Sequence, residues 1–364
     1  MAERGNPFLR LVDGVFGPPL LRATSIFRRK KSLPTQPAKI GVMCFGALGD
    51  LLLLSAIIPD LQVAYPEAEI LILGSGTNKS IAPMLPASNF IELPVKRPDQ
   101  ALRILRGLNL DIIIDSTQWA KLPALLCAGS RAFTVGFNTA GQHKHFAYDV
   151  IVEHCNDRHE MQNFRALAAV VGPVTDTTPV LLVSDEAKAK VSSMLPNRFA
   201  VLHAWPSGAR AELKEWPIEN WGALAHHLHQ THGLDIVLTG APVDEPKSTA
   251  LAKEIGEASW LIDTTGKFRL SETVAVLENA VITVSVNTGI MHMAATFDVP
   301  LVGLSGPTNP VRWGPLSKLA VSPKPDCEGC WYLNLGFEYP ENPEDCMGAL
   351  SKEAVIGAVD ELLS

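Results

Sequence analysis

Six cysteines in 364 residues are too few for a disulfide scaffold, and Cys44, Cys127 and Cys155 stand far from any other cysteine. The usage fits a reducing compartment, so the expected location is the cytoplasm. Positive charge is scarce too: 31 Lys and Arg face 38 Asp and Glu, a formal net charge of −7. The basic field that nucleic-acid binding requires is missing, which excludes nucleic acid as the expected partner. No apolar run reads as a membrane span, because Asp50 interrupts residues 40–59 beside two glycines. A secretory leader is not expected either: Arg10, Asp13 and Arg22 break the first apolar stretch, and the basic cluster Arg28–Lys31 follows it rather than preceding it. Asp-x-Asp occurs nowhere, which removes one common diphosphate–metal motif.

What is present is the profile of a packed globular chain, 47% hydrophobic and 19% charged with 27 Gly and 27 Pro. Its length suggests two domains. Residues 1–38 read as an amphipathic arm, in which Phe8, Leu9, Leu11, Val12, Val15 and Phe16 share a helical face ahead of Pro18-Pro19, Leu20, Leu21, Ile26, Phe27 and the basic cluster. Two readings stand for residues 8–31: contact with the inner-membrane surface, which would make the protein peripheral on its cytoplasmic face, or packing on the protein itself.

From residue 39 a strand (Ile40–Phe45), a Gly-rich turn and a helix (Leu51–Tyr65) open a βαβ series, with further strands at Ile70–Leu73, Asp111–Asp115 and Phe133–Gly136. This forms a first domain over 39–175. Pro173 closes this domain, and Pro179 and Pro196 punctuate a linker region at 176–197 that contains a helix, Asp185–Leu195. The pattern restarts at Phe199–His203 and repeats through strands near 236–239, 260–263, 281–286 and 301–304, giving a second α/β domain over 198–364. Its last helix, Lys352–Leu363, is expected to return toward the first domain. The fold class is α/β: two Rossmann-like, doubly wound lobes facing across a cleft, with ligands at the carboxyl ends of the strands.

Four segments carry candidate chemistry. Phe45-Gly46-Ala47-Leu48-Gly49-Asp50 is a strand-to-helix turn whose glycines permit close backbone approach; its GxxGD spacing is not the dinucleotide fingerprint. Asp50 is either a helix cap or a general base, and the spacing leaves both open. The loop His203–Pro217 carries Arg210 and Lys214 between Trp205 and Trp216, as phosphate ligands or as a solvated loop. Val284-Ser285-Val286-Asn287-Thr288-Gly289 and Gly306-Pro307-Thr308-Asn309-Pro310 each follow a strand, as anion-binding turns or as ordinary loops; His292 lies one turn into the next helix. His226, His227, His229 and His232 read as a solvated helix face with no paired carboxylate, so no metal site is expected; Cys327, Cys330 and Cys346 lack a fourth ligand and read as a structural staple or free thiols.

In this order the motifs resemble glycosyltransferase family 9, the bacterial lipopolysaccharide heptosyltransferases, over about Lys39–Asp360. The most specific parts are the turn ending in Asp50, Lys214-Glu215-Trp216-Pro217, and Val286–Ala295 followed by Gly306–Pro310. The resemblance implies the two-lobed arrangement called GT-B. It also implies inverting, metal-independent transfer of a heptose from a nucleotide-sugar such as ADP-heptose, a substrate rather than a cofactor, to a lipid-linked core oligosaccharide. The family's catalytic carboxylate matches Asp50, with Gly46 and Gly49 in the acceptor-side turn. Its phosphate-binding lysine matches Lys214, its donor-binding turn matches Asn287, Thr288, Gly289 and His292, and Gly240 and Asp244 match the ribose region. A cysteine loop like that of Cys327, Cys330 and Cys346 is also seen among relatives. Asn287 replaces the usual Asp, removing a negative charge beside the donor, and the loop from His203 to Lys214 is longer by a few residues. These departures leave room for another nucleotide-sugar or acceptor. A non-catalytic sugar-nucleotide-binding protein is the rival from another class, disfavoured because Asp50 and Lys214 are both present.

Overall fold

The computed structural model describes residues 7–86, 89–208, 211–256, 258–323 and 345–364. The chain divides into two compact units, 1–180 and 181–364. In the first, β1 (Lys39–Met43), β2 (Glu69–Gly74), β3 (Asn89–Glu92), β4 (Ile112–Asp115), β5 (Phe133–Asn138) and β6 (Val150–Glu153) form a parallel sheet in the order β3-β2-β1-β4-β5-β6. Its helices are α1 (Pro7–Phe27), α2 (Leu48–Ser55), α3 (Ile58–Ala64), α4 (Pro98–Gly107), α5 (Leu122–Gly129) and α6 (Glu160–Ala168). The central strands are near-continuous apolar runs, as sheets covered on both faces require: all four residues of β4 are buried, and all but the first of β1.

The second unit repeats the plan with β7 (Phe199–His203), β8 (Asp235–Leu238), β9 (Leu261–Asp263), β10 (Ile282–Val286), β11 (Leu301–Leu304) and β12 (Ala320–Val321), in the order β12-β11-β10-β7-β8-β9. Its helices are α7 (Asp185–Met194), α8 (Ile218–His232), α9 (Glu245–Ile255), α10 (Leu270–Asn279), α11 (Gly289–Ala294), α12 (Pro310–Trp313) and α13 (Lys352–Leu363). Read from the other edge, this is the strand order of the first sheet. Each unit is therefore doubly wound as expected, and each has one switch point, between β1 and β4 and between β7 and β10.

The expected helix Leu51–Tyr65 is two helices, α2 and α3, because Pro59 falls in the first turn of the second and has no N–H to continue the first. Lys352–Leu363 belongs to the second unit: α13 packs on α8 and β11, and its Val355 and Val359 are fully buried in that unit's core. Most of the expected linker 176–197 belongs to the second unit, because its helix α7 packs on α10, with Lys190 Nζ 2.9 Å from Glu272 and Lys188 Nζ 3.0 Å from Glu278.

The arm is docked on the first unit. Leu21 is fully buried where α1 packs on α5 and on the turn Lys144–Ala147. Asp13 accepts hydrogen bonds from the Lys121 backbone N–H (2.8 Å) and ammonium (3.2 Å). Arg28 pairs with the buried Asp149 carboxylate at 2.6 Å, which also accepts the Lys31 N–H.

Candidate functional site

In a parallel sheet all carboxyl ends lie on one edge, so the loops that follow the strands share that edge. On the first unit's edge, Asp50 stands in the first turn of α2, directly after β1, and is 8% exposed. Its Oδ2 accepts the Ala47 N–H at 2.7 Å, so the capping role exists. The carboxylate folds back over Gly46, where a Cβ would lie 2.6 Å from the Asp50 Cβ and 2.7 Å from Oδ2. Gly46 is thus required for space. Gly49 lies buried within the same helical turn. The charge of Asp50 reaches Cys44, whose thiol is pushed up to about 12, first by burial and then by that carboxylate.

Across the switch point, β4 ends in a buried polar network not singled out by the sequence reading. Asp115 accepts the Tyr148 hydroxyl at 2.5 Å and the Thr117 N–H at 2.8 Å, and lies 3.4 Å from the fully buried Lys144 ammonium, which also donates to the Thr117 carbonyl. Glu160 is fully buried and accepts Gln118 Nε2 at 2.7 Å, Asn163 Nδ2 at 3.3 Å and His154 Nε2 at 3.0 Å. Buried carboxylates with this many donors are held rigidly. The available signal was position: Thr117 and Gln118 directly follow a central strand at its carboxyl end.

On the second unit's edge, the loop after β7 is pinned at both aromatic residues. Trp205 Nε1 donates to Ser248 Oγ and Trp216 Nε1 to the Leu350 carbonyl, both at 2.8 Å. Between them, the Lys214 ammonium donates to the Ser207 carbonyl at 3.2 Å, within its own loop; Arg210 lies outside the described residues. His203 closes β7 with Nδ1 3.0 Å from Thr239 Oγ1, and burial lowers its pKa to about 4. After β8, Gly240 admits Trp205 and Thr265, each 2.9 Å from where its Cβ would be, and Asp244 Oδ2 accepts the Ala241 N–H at 2.9 Å. Burial raises the Asp244 pKa against that bond.

After β10, Asn287 Nδ2 donates to the Trp313 carbonyl at 2.8 Å. The side chain thereby ties the β10 turn to the end of α12, a bond no aspartate could donate. Thr288 is the N-cap of α11 but its side chain caps nothing: its Oγ1 is buried with no hydrogen-bond partner among the described residues. Ser305 Oγ, just beyond β11, is buried in the same condition. Gly289 starts α11, and the buried His292 ring lies 6.5 Å from that of Trp313, over which Arg312 sits at 5.0 Å. Two desolvated hydroxyls at the ends of adjacent strands are costly unless something bonds to them.

The structure therefore places Lys214, Gly240, Asp244, Asn287, Thr288, Gly289 and His292 on one edge of the second sheet, and Asp50, Gly46 and Gly49 on the edge of the first. The histidine reading needs one correction. Asp360 of α13 supplies the carboxylate that the sequence around α8 lacks: Oδ1 is 2.7 Å from both His227 Nε2 and His232 Nε2. The three are the group with metal-ligand proximity among the described residues, at distances of two hydrogen bonds to a shared oxygen. Cys327 and Cys330 lie outside the described residues; Cys346 is buried.

Two parallel, doubly wound units with polar loops on their carboxyl edges define a protein of the class that binds ligands at switch points. The profile of glycosyltransferase family 9 (heptosyltransferase) matches residues 100–324, and the chain belongs to that family of glycosyltransferases. A Haemophilus influenzae lipooligosaccharide heptosyltransferase 2 is 28% identical over 154 residues, which cover 42% of this chain and 44% of that relative. The lipopolysaccharide core heptosyltransferase OpsX of the same organism is 22% identical over 78% of this chain and 83% of its own. Among solved structures, a family 9 glycosyltransferase from Veillonella parvula superposes with a TM-score of 0.74 at 20% identity, covering 92% of this chain and 99% of that one. Escherichia coli heptosyltransferase WaaC with ADP gives 0.68 at 21% identity, over 89% and 99%. At these identities the structural likeness speaks to the fold alone.

Proposed function

We propose that the protein is an inverting heptosyltransferase that moves a heptose from ADP-heptose to a lipid-linked lipopolysaccharide core. The observation that carries this reading is the pair of buried, unpartnered hydroxyls, Thr288 Oγ1 and Ser305 Oγ, at the carboxyl ends of β10 and β11 in a family 9 chain. A diphosphate supplies the acceptor oxygens such hydroxyls lack, and relatives with that family name transfer heptose. Asp50 takes the proton of the acceptor hydroxyl as its oxygen bonds to the anomeric carbon, from the face opposite the breaking bond to phosphate. Lys214 and the backbone N–H groups at Thr288-Gly289 stabilise the leaving diphosphate, with a lysine in the place of an Asp-x-Asp metal motif. Gly240 and Asp244 lie beside the nucleoside. Such a donor and the free buried thiols Cys44 and Cys127 suit the cytoplasm, and the acceptor's lipid suits its membrane-facing boundary. Among the described residues no helix is long and apolar enough to cross a membrane.

The test is Asp50→Asn. Asparagine still accepts the Ala47 N–H, so the melting curve is expected to stay nearly unchanged. It cannot accept the proton, so initial rates with saturating ADP-heptose and a heptose-free core acceptor fall by about 10²–10⁴-fold. An active Asp50→Asn enzyme would end the assignment.

A further inference from the structure

The arm buries the narrow side of its helix and turns the apolar side outward. Gly17 and Leu21 form the inward strip, with Gly17 so close to Lys121 that a Cβ would lie 2.3 Å from its Cδ. Away from that strip Leu11, Val15, Phe16, Leu20 and Ile26 are 63%, 55%, 58%, 50% and 77% exposed, on a broad arc that runs from its flank at Leu20 to the far side at Ile26. A surface helix of a globular domain has the reverse arrangement.

Charge says what covers this face. Residues 1–31 hold seven Lys and Arg against two Asp and Glu, in a chain whose net charge is −7. Asp13 faces inward to Lys121, so no described acidic side chain of α1 points outward. The cations divide into two sets. Arg28 and Lys31 are bolts, Arg28 to Asp149 and Lys31 through its ammonium to the Ala132 carbonyl at 2.8 Å. Arg22, on α1, and Arg29 and Lys30, just past its end at Phe27, are exposed. Apolar side chains flanked by cations, without anions, match the boundary between acyl chains and anionic headgroups.

We infer that the outward face of α1 is a monotopic docking surface for an anionic lipid bilayer, with Leu11, Val15, Phe16, Leu20 and Ile26 entering the acyl boundary and Arg22, Arg29 and Lys30 at the headgroups. The basic cluster found in the sequence thus serves two purposes, two of its members securing the helix to the first unit and the other two contacting lipid. The inference needs no assumption about the reaction, and its test uses no sugar or acceptor.

The experiment is co-sedimentation of the full chain with phosphatidylcholine vesicles, alone or with about one third phosphatidylglycerol. The protein is expected to bind the anionic vesicles only. Phe16→Ser/Leu20→Ser removes binding, and Arg29→Glu/Lys30→Glu weakens it by about 30-fold or more, from roughly 1 kcal/mol per surface cation. All four positions are solvent-exposed, so melting temperatures are expected to match the parent; either pair alone decides the matter if the other fails to fold. Unchanged vesicle binding by a folded variant, or failure of the parent to bind anionic vesicles, overturns the inference. So does a concentration-dependent dimer that Phe16→Ser/Leu20→Ser dissolves while the parent ignores vesicles, since the face would then belong to a second copy.

Discussion

His203 shows how a single residue can carry pH dependence without chemistry. It ends β7 almost fully buried, with Thr239 Oγ1 3.0 Å from Nδ1, and burial lowers its pKa from 6.5 to about 4 despite the partial compensation from Thr239. Between those values the unfolded chain binds a proton that the folded chain refuses. Stability is then complete above about pH 6.5 and falls as pH drops toward 4, by roughly 3 kcal/mol at 1.36 kcal/mol per unit. Urea unfolding followed from pH 7 to pH 4 is expected to show this slope, and His203→Asn to flatten it. An identical slope in the variant would place the titration elsewhere. Asn287 teaches a second residue-scale lesson. As a departure from the family's aspartate it reads as a change beside the donor, whereas its amide donates to the Trp313 carbonyl and joins the loops after β10 and β11.

Among elements, those that follow local rules were legible in the sequence. The buried strands β1, β4, β7, β10 and β11 announce themselves as apolar runs, whereas the helix after β1 begins at Leu48, inside the turn read as preceding it, because Asp50 caps back onto the Ala47 N–H. The edge strands β3 and β6 did not, because their residues are intermediate or exposed and no run forms. In the site, Asp50 and the Asn287–Gly289 turn stand out because each directly follows a central strand; the Glu160 network does not, since Asn163 and His154 are its near neighbours in sequence but Gln118, 42 residues away, meets it only through tertiary packing. The α8–α13 clasp fails for the same reason, its carboxylate lying 133 and 128 residues from the histidines it meets. Burial pushes the Asp360 pKa up, but the hydrogen bonds from His227 and His232 outweigh it and the net shift is downward. Asp360→Ala is expected to destabilise the protein by about 1 kcal/mol, an estimate reduced for the partial exposure of all three side chains. The measurement is the denaturant midpoint; Asp360→Asn, which keeps an acceptor oxygen, should recover part of the loss. A midpoint unmoved by Asp360→Ala would show that α13 is held by its apolar packing alone.

For the whole molecule, the consequence of two sheets with the same strand order and separate cores is that ligand binding can be located by stability. Buried apolar clusters fill each unit, one around β7, β8, β10 and β11 and one around β1, β2 and β4. A ligand that binds only the folded form of one unit slows exchange of amides that open with that unit and leaves the other alone. The donor's phosphates are assigned to the loops after β7, β10 and β11. ADP at 100 times its dissociation constant should therefore slow the slowest amides of β7, β10 and β11 by about 100-fold, equivalent to ~2.7 kcal/mol. Peptides from β1, β2 and β4 should exchange at unchanged rates, and the loops at 203–208 and 285–289 should show the earliest protection. Lys214→Ala is expected to require a higher ADP concentration for the same protection, because a cation facing the diphosphate is lost where water is partly excluded. Hydrogen exchange read by mass spectrometry on the full chain separates the outcomes. Protection confined to β1, β2 and β4 would transfer the nucleotide to the first unit and remove Lys214, Thr288 and Ser305 from the donor site together.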